Sequence, residues 1–240
     1  MKTQIVIPMA GLGKRFEKAY PNTPKPFIDI LKKSMLSRVI SNLKNDNSEF
    51  IFISQEELFK DVRFEYAVRE ERVNYQTVIA HNKTEGPACS CLLAKEFINN
   101  DNPLIIVNCD QIILDFNIDN LLKFALYNNA DGILGTFHST SSKNSYIKLG
   151  DDLRVQEIKE KIVISNIATN GLHFWKHGKF FVESAEKMVE ANDRYSNEFY
   201  VAPSYNYLIK QGKTILPYYY NLHYPIGIPE DLNSFIENVL

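Results

Sequence analysis

The sequence predicts an α/β fold, a three-layer α/β/α sandwich built around a mainly parallel sheet. Three observations carry that expectation. Apolar runs recur at residues 5–7, 49–54, 75–81, 103–107 and 132–137, each about the length of a buried strand. Stretches with apolar residues at helical spacing lie between them, and alternating strands and helices argue for parallel strands covered on both faces. The chain has 240 residues, 45% of them hydrophobic and 23% charged, enough for one large domain with a good core and ordinary for a globular protein.

Ile5, Val6 and Ile7 make the first strand, and Met35, Leu36, Val39, Ile40 and Leu43 mark the first helix. Residues 55–68 predict a second, with Leu58, Phe59 and Val62 on one side. Pro87 fits a helix start, followed by Leu92, Leu93 and Phe97. Another helix is expected over residues 121–127. After His138 the pattern changes. Residues 145–149 and 153–158 flank Gly150-Asp151-Asp152, a hairpin signal. A strand over 167–175, helices over 179–190 and 199–211 with Gly212 as a stop, and a strand over 214–219 follow. Pro229 opens a last helix whose inner face carries Leu232, Phe235, Ile236 and Val239. No linker, internal repeat or low-complexity segment divides the chain.

The residues best suited to chemistry follow the first strand. In Met9-Ala10-Gly11-Leu12-Gly13-Lys14-Arg15, two glycines let the backbone turn sharply and bring N–H groups to a ligand. Two cations close the loop, and Pro24-Lys25-Pro26 supplies a third held between rigid residues. This is the equipment of a polyphosphate site. It is not a P-loop, because the first glycine would fall at Pro8 and Lys14 is followed by Arg15. It is not the dinucleotide fingerprint, whose third glycine would fall at Phe16.

Gly11-x-Gly13-x-Arg15 followed by Pro24-Lys25-Pro26 resembles the signature of the sugar-phosphate nucleotidyltransferases, of the type serving capsule and cell-surface polysaccharides. The resemblance implies the GT-A-like nucleotidyltransferase fold and one domain over residues 1–240. Its nucleotide half would cover about residues 1–138 and its acceptor-binding part about residues 139–240. It implies transfer from a nucleoside triphosphate to a sugar phosphate or related phosphorylated acceptor, with release of pyrophosphate. Met9, Ala10, Gly11, Leu12 and Gly13 would bind the nucleotide, with Arg15 and Lys25 on the phosphates. Lys14 stands where the family more often has Ser or Thr, and as a loop neighbour it is expected to point outward.

Asp110 ends a strand, and ligands of open parallel sheets bind beyond the carboxyl ends of strands. By the resemblance Asp110 is catalytic and holds magnesium. Thr84-Glu85-Gly86-Pro87-Ala88 resembles the segment that lays a small face against the nucleobase, which assigns Glu85, Gly86 and Ala88 to the nucleotide. Glu160-Lys161, then Asn170-Gly171, resemble the acceptor site, and Glu198 is a further candidate there. The family usually places a second magnesium carboxylate before a segment like Ile226-Gly227-Ile228-Pro229-Glu230-Asp231. Here Pro225 and Gly227 offer no side-chain oxygen. Asp110 is therefore expected to be the only direct protein carboxylate, with Glu230 and Asp231 capping the last helix.

Net charge is −2 and no long basic run occurs, which argues against nucleic acid. Cys89, Cys91 and Cys109 form no C-x-x-C, pointing to a reducing compartment. No apolar run reaches the length of a membrane span and no signal peptide is evident, so a cytoplasmic protein is expected. The five histidines show no metal-ligand spacing. Two other functions fit the same fold class. A nucleotide-sugar-dependent glycosyltransferase would usually show Asp-x-Asp where this chain has Asp110-Gln111-Ile112. A non-catalytic nucleotide-binding module would follow if Pro225 and Gly227 disabled the metal site.

Overall fold

A computed structural model describes residues 2–11 and 13–239. β1 (Thr3–Pro8) is an interior strand of its sheet, and the small hairpin of β2 (Asp29–Ile30) and β3 (Lys33–Ser34) leads into α1 (Met35–Leu43). The Ser34 hydroxyl caps α1 by accepting from the Ser37 N–H at 3.0 Å. β4 (Ser48–Ser54) follows, and then the stretch expected as one helix over residues 55–68 divides into α2 (Glu56–Lys60) and α3 (Val62–Glu71). The break falls at Asp61, which adopts an extended backbone and accepts from the Arg63 N–H. A residue that caps a new helix ends the one before it.

β5 (Asn74–Ile79), α4 (Pro87–Leu92), α5 (Lys95–Ile98) and β6 (Leu104–Val107) continue the alternation. β7 (Gln111–Ile113), α6 (Ile118–Tyr127) and β8 (Gly132–His138) come next, then the expected hairpin of β9 (Tyr146–Leu149) and β10 (Val155–Lys159). β11 (Ile167–Trp175) and α7 (Gly178–Glu190) match their patterns. The helix expected over residues 199–211 is shorter. A 3₁₀ turn over Ala202–Ser204, carrying Pro203, precedes α8 (Tyr205–Ile209). β12 (Ile215–Tyr219), β13 (His223–Pro225) and α9 (Pro229–Val239) end the described chain.

The main sheet runs β5-β4-β1-β6-β11-β8-β12, with β9 and β10 attached to the start of β11. The pairs β1–β4, β1–β6, β4–β5 and β8–β12 are parallel. β11 runs against both β6 and β8, so it alone opposes the common direction of that seven-strand path. The mainly parallel sandwich is thus present, with β11 reversed inside it and β10 reversed at its margin. Side chains alternate across the sheet: Ile5, Ile7, Phe50, Phe52, Ile105 and Val107 pack with α1, α3, α6 and α9. Val6, Ile51, Ile53, Leu104 and Ile106 pack on the opposite face with α4, α5, α7 and α8. A separate two-stranded sheet, β7 with β13, sets Pro225 opposite Gln111. No helix among the described residues is long and apolar enough to cross a membrane.

One buried carboxylate ties α1 to α3. Glu71 is 3% exposed and accepts from Lys33 and Lys44 at 2.8 Å each. Burial works to raise its pKa, but the hydrogen bonds and positive charges of the two lysines together outweigh burial and hold it below the ordinary carboxylate value. A depressed folded-state pKa gives stability that is present above the unfolded pKa and lost as pH falls. Both lysines are more than a third exposed, so solvent screens the pairing. Glu71→Gln is expected to destabilise the fold at neutral pH by about 1–2 kcal/mol. In denaturant titrations the gap from the parent protein should close as pH is lowered through the carboxylate range. A gap that persists in acid would contradict this role.

Candidate active site

The carboxyl ends of β1, β4 and β6 open onto one cleft. After Pro8 the chain leaves the sheet, and Gly13 takes a left-handed backbone at φ 62° before a 3₁₀ turn over Lys14–Phe16. Phe16 is buried and anchors that turn, leaving Lys14 and Arg15 exposed beside it. A second 3₁₀ turn, Lys25–Phe27, is anchored by buried Pro26 and Phe27. A Cβ on Gly13 would lie 3.0 Å from the Lys25 Cβ, so the glycine lets the two turns pack together. The result is a group of three cations around one opening.

Lys25 Nζ forms an ion pair with Asp110 Oδ2 across the floor of this cleft. Asp110 follows β6, and its carbonyl accepts from the Ile226 N–H at 2.8 Å, which brings the turn after β13 over it. A Cβ on Gly227 would lie 2.9 Å from Asp110 Oδ2 and 3.9 Å from Lys25 Nζ. The missing side chain therefore leaves open space beside the carboxylate. Glu230 and Asp231 sit in the first turn of α9 and line neither of the pockets described below.

These residues fit magnesium better than zinc. No group of three or more His, Cys, Asp or Glu could hold a metal among the described residues, whereas magnesium keeps waters and takes ligands from substrate phosphates. Asp110, with the space beside Gly227, is where such an ion would be held.

Two pockets meet at Asp110. The larger, about 830 Å³, is lined on one side by Ala10, Gly11, Gly13, Arg15 and Lys25, and on the other by Gln55, Asn82, Thr84, Gly86 and Ser90. The smaller, about 320 Å³, holds Glu160, Lys161, Asn170 and Gly171 with Ser145 and Tyr200. Pro87, Asn108, Asp110 and Gly227 line both. The structure thus gathers most of the residues singled out in the sequence, and it sorts the rest. Met9 is 3% exposed and its side chain belongs to the core, because the Met9 N–H still pairs with the Ile53 carbonyl at the end of the sheet. Leu12 lies outside the described residues. Lys14, expected to point outward, lines the larger pocket with Arg15. Glu85 turns away to Arg194 at 2.8 Å. Ala88 is fully buried in the core under the pocket wall.

Gly86 has a structural reason to be glycine. At φ 131° its Cβ would lie 2.5 Å from the Phe199 nitrogen and 2.6 Å from the Phe199 oxygen. The Phe199 N–H donates to the Glu85 carbonyl and the Ala88 N–H to the Phe199 carbonyl, at 2.8 and 2.9 Å. This backbone clamp joins the wall of the larger pocket to the segment carrying Glu198 and Tyr200.

In the smaller pocket Glu160 is 7% exposed. Burial pushes its carboxyl above the ordinary value, although Ser145 donates to Oε2 and Lys161 lies 3.9 Å from Oε1. Lys161 donates to the Tyr200 hydroxyl at 2.6 Å, and that hydroxyl donates to Glu198 Oε2 at 2.8 Å. Burial tends to lower the Lys161 pKa, but Tyr200 and the two glutamates raise it overall. Lys161 is therefore cationic at neutral pH. Glu198, expected at the acceptor, lines the larger pocket instead and reaches the smaller one through Tyr200. The reason is the tight turn at Ser196 and Asn197, both left-handed, which pairs Tyr195 with Glu198.

Asn170 and Gly171 form an irregularity where β11 slips against β8. Gly171 has φ 83°, and a Cβ there would lie 2.7 Å from Asn108 Nδ2. Sequence reasoning missed Gln111, His173 and His223, all on the wall of the smaller pocket. Burial lowers the His173 pKa to about 3 and the His223 pKa to about 4, the latter against the pull of Asp115 and Asp110. Both imidazoles are neutral at physiological pH. The position of Gln111 next to Asp110 was the one signal available for it.

Comparison with known proteins agrees with this arrangement. Residues 5–212 match the family model described as nucleotidyl transferase. The chain belongs to that family. Nucleotidyl transferase relatives include a mannose-1-phosphate guanylyltransferase catalytic subunit beta from Danio rerio, 24% identical over 181 residues, covering 73% of this chain and 49% of its own length. A bifunctional protein GlmU from Methanococcus vannielii is 28% identical over 251 residues, covering 98% of this chain and 55% of its own. The chain spans about half the length of these relatives. A nucleoside-diphosphate-sugar pyrophosphorylase from Vibrio cholerae shares the fold, with a TM-score of 0.84 at 24% identity over 98% of this chain and 100% of that one. The GT-A-like nucleotidyltransferase fold expected from the sequence is the fold observed.

Gly86→Ala tests the clamp between the pockets. With a left-handed φ and backbone in the way, the added methyl should cost roughly 2–4 kcal/mol. Ligands of both pockets should bind more weakly in the variant. A variant that melts like the parent and binds both normally would show that the clamp does not matter.

Proposed function

We propose that the protein joins a nucleoside triphosphate to a phosphorylated acceptor, a sugar phosphate or related ester, and releases pyrophosphate. The observation that carries this reading is the junction of two pockets at Asp110, the ion-pair partner of Lys25. A triphosphate fits the larger pocket, with its phosphates among Lys14, Arg15 and Lys25 and its base toward Gln55, Asn82 and Gly86. The acceptor fits the smaller, against Glu160, Lys161 and Asn170. The names of the mannose-1-phosphate guanylyltransferase and the sugar pyrophosphorylase support a sugar phosphate as acceptor. Activated sugars for surface polysaccharides are the use this reading gives the product.

The chemistry asks little of a base. A phosphate monoester has a second pKa near about 6 and is largely ionised at neutrality. Its oxygen attacks the α-phosphorus in line, the bond to the β-bridging oxygen breaks, and the electron pair leaves on pyrophosphate. The difficulty is to bring two anions together. Arg15 and Lys25 neutralise the triphosphate, Lys161 attracts the acceptor phosphate, and the glycine loop turns backbone N–H groups toward the reacting phosphates. Lys25 is poised between the loop and Asp110, so a small shift moves its ammonium from carboxylate to phosphate. Magnesium, when bound at Asp110, would add charge neutralisation at the transferred phosphoryl group.

Pyrophosphate release over a matrix of triphosphates and phosphorylated acceptors, with product mass, tests the reaction. At least one pairing is expected to give a nucleoside diphosphate ester. Breakdown of an intact nucleotide sugar with no use of triphosphate would point to a glycosyltransferase instead. With the active pair, Arg15→Ala should slow turnover by about 10² or more while melting normally, and Lys25→Ala should slow it as much with some loss of stability, because it leaves Asp110 unpaired. Asp110→Asn should nearly abolish it, and Glu230→Gln and Asp231→Asn should not. Lys161→Ala should raise the acceptor KM and leave triphosphate binding unchanged; the reverse pattern would overturn the division between the pockets.

A further inference from the structure

Lys161 is held from several sides. Its backbone is left-handed, at φ 54°, a conformation that costs free energy in a residue with a side chain and persists only where the surroundings fix it. Its N–H donates to the Asn144 carbonyl at 3.1 Å. Its ammonium lies 4.3 Å from the centre of the Tyr200 ring and 5.6 Å from that of the Tyr195 ring, and it donates to the Tyr200 hydroxyl at 2.6 Å. The side chain is still 31% exposed, so a molecule in the smaller pocket can reach it.

An ammonium carries several N–H donors. One goes to Tyr200, and Glu160 Oε1 at 3.9 Å is too far for a hydrogen bond, so donors remain for an anionic ligand. A lysine side chain turns about several bonds, and aiming it costs entropy. The Tyr200 hydroxyl removes that freedom, and it is itself aimed. Its proton goes to Glu198 Oε2 at 2.8 Å, which leaves its oxygen lone pairs for Lys161. Without Glu198 the hydroxyl would be free to turn its proton toward the ammonium. The Tyr200 backbone is fixed too, because the adjoining Phe199 is fully buried and clamped to Glu85 and Ala88. Glu198 lines the larger pocket and Lys161 the smaller, so Tyr200 carries an orientation set in one pocket to the cation of the other.

We infer that Tyr200 is a positioning residue for the transfer: its hydroxyl, oriented by Glu198, aims the Lys161 ammonium at the acceptor phosphate. Tyr200 acts on the acceptor through Lys161. This rests on the proposed reading of the smaller pocket as the acceptor site.

The test measures binding and turnover separately. Inorganic phosphate is titrated by calorimetry into the full chain in saturating magnesium tripolyphosphate, which occupies the cations of the larger pocket and whose own affinity is measured first. Lys161→Ala should weaken phosphate binding. Tyr200→Phe keeps the ring and loses only the hydroxyl; it should weaken phosphate about fivefold or more and bind tripolyphosphate as the parent does. In a Lys161→Ala background the same change should have no further effect, a result that a merely structural role for Tyr200 would not give. Glu198→Ala, which leaves Tyr200 intact, should match Tyr200→Phe, and the two together should be no worse than either. Glu198→Gln, which keeps an accepting oxygen, should lose less. With an acceptor that yields product, Tyr200→Phe should raise the acceptor KM by the same factor and leave the triphosphate KM in place. Parent-like phosphate binding by Tyr200→Phe, or an equal loss with and without Lys161, would overturn the inference. Phosphate binding untouched by Lys161→Ala would overturn it together with the acceptor reading of the smaller pocket. The expected binding pattern without pyrophosphate release from any pairing would leave it standing and overturn the proposed reaction alone.

Discussion

The pairing of Lys25 with Asp110 is the constraint on which the rest of the site depends. The two residues come from different elements, and each is fixed by a rigid local device. Pro24 and Pro26 hold Lys25 on a 3₁₀ turn whose apolar residues are buried. Asp110 is held by the end of β6 and by the Ile226 N–H on its carbonyl. A partly buried charge left without its partner is costly, and the pairing holds the two elements together at this point.

A second constraint is the backbone clamp between residues 85–88 and Phe199. Parallel strands bring the loops after β1, β4 and β6 together at one end of the sheet, but they do not place the later segments there. The reversed strand β11 does part of this, since its beginning lies at the same end as the finish of β6. The clamp does the rest by fastening the Glu198–Tyr200 turn to the Gly86 loop. The two pockets therefore share walls, and Pro87, Asn108, Asp110 and Gly227 face both.

Much of this was legible in the sequence because it is local. The glycine loop, the Pro-Lys-Pro turn and the apolar strand before Asp110 each declare themselves within a few residues. Arg15, Lys25, Gly86, Glu160, Lys161 and Asn170 each line one of the two pockets. What stayed hidden depends on distant pairing. Gln111 and His223 meet through β7 and β13, strands of three residues each that carry no periodic signal of their own. Ala88 and Met9 sit in apolar environments that the motif alone could not reveal. Glu198 changed pockets because left-handed Ser196 and Asn197 turn the chain, a conformation neither residue announces. The helix break at Asp61 shows the same limit, since a cap and a helical position draw on the same residue types.

The central claim is that the two pockets hold the two halves of one product, joined across Asp110. A crystal structure with the nucleoside diphosphate ester proposed as the product tests it most directly. The base is expected near Gly86, the acceptor against Glu160 and Lys161, and the diphosphate beside Lys25 and Asp110. A product lying wholly within the larger pocket, or with its diphosphate away from Asp110, would contradict it.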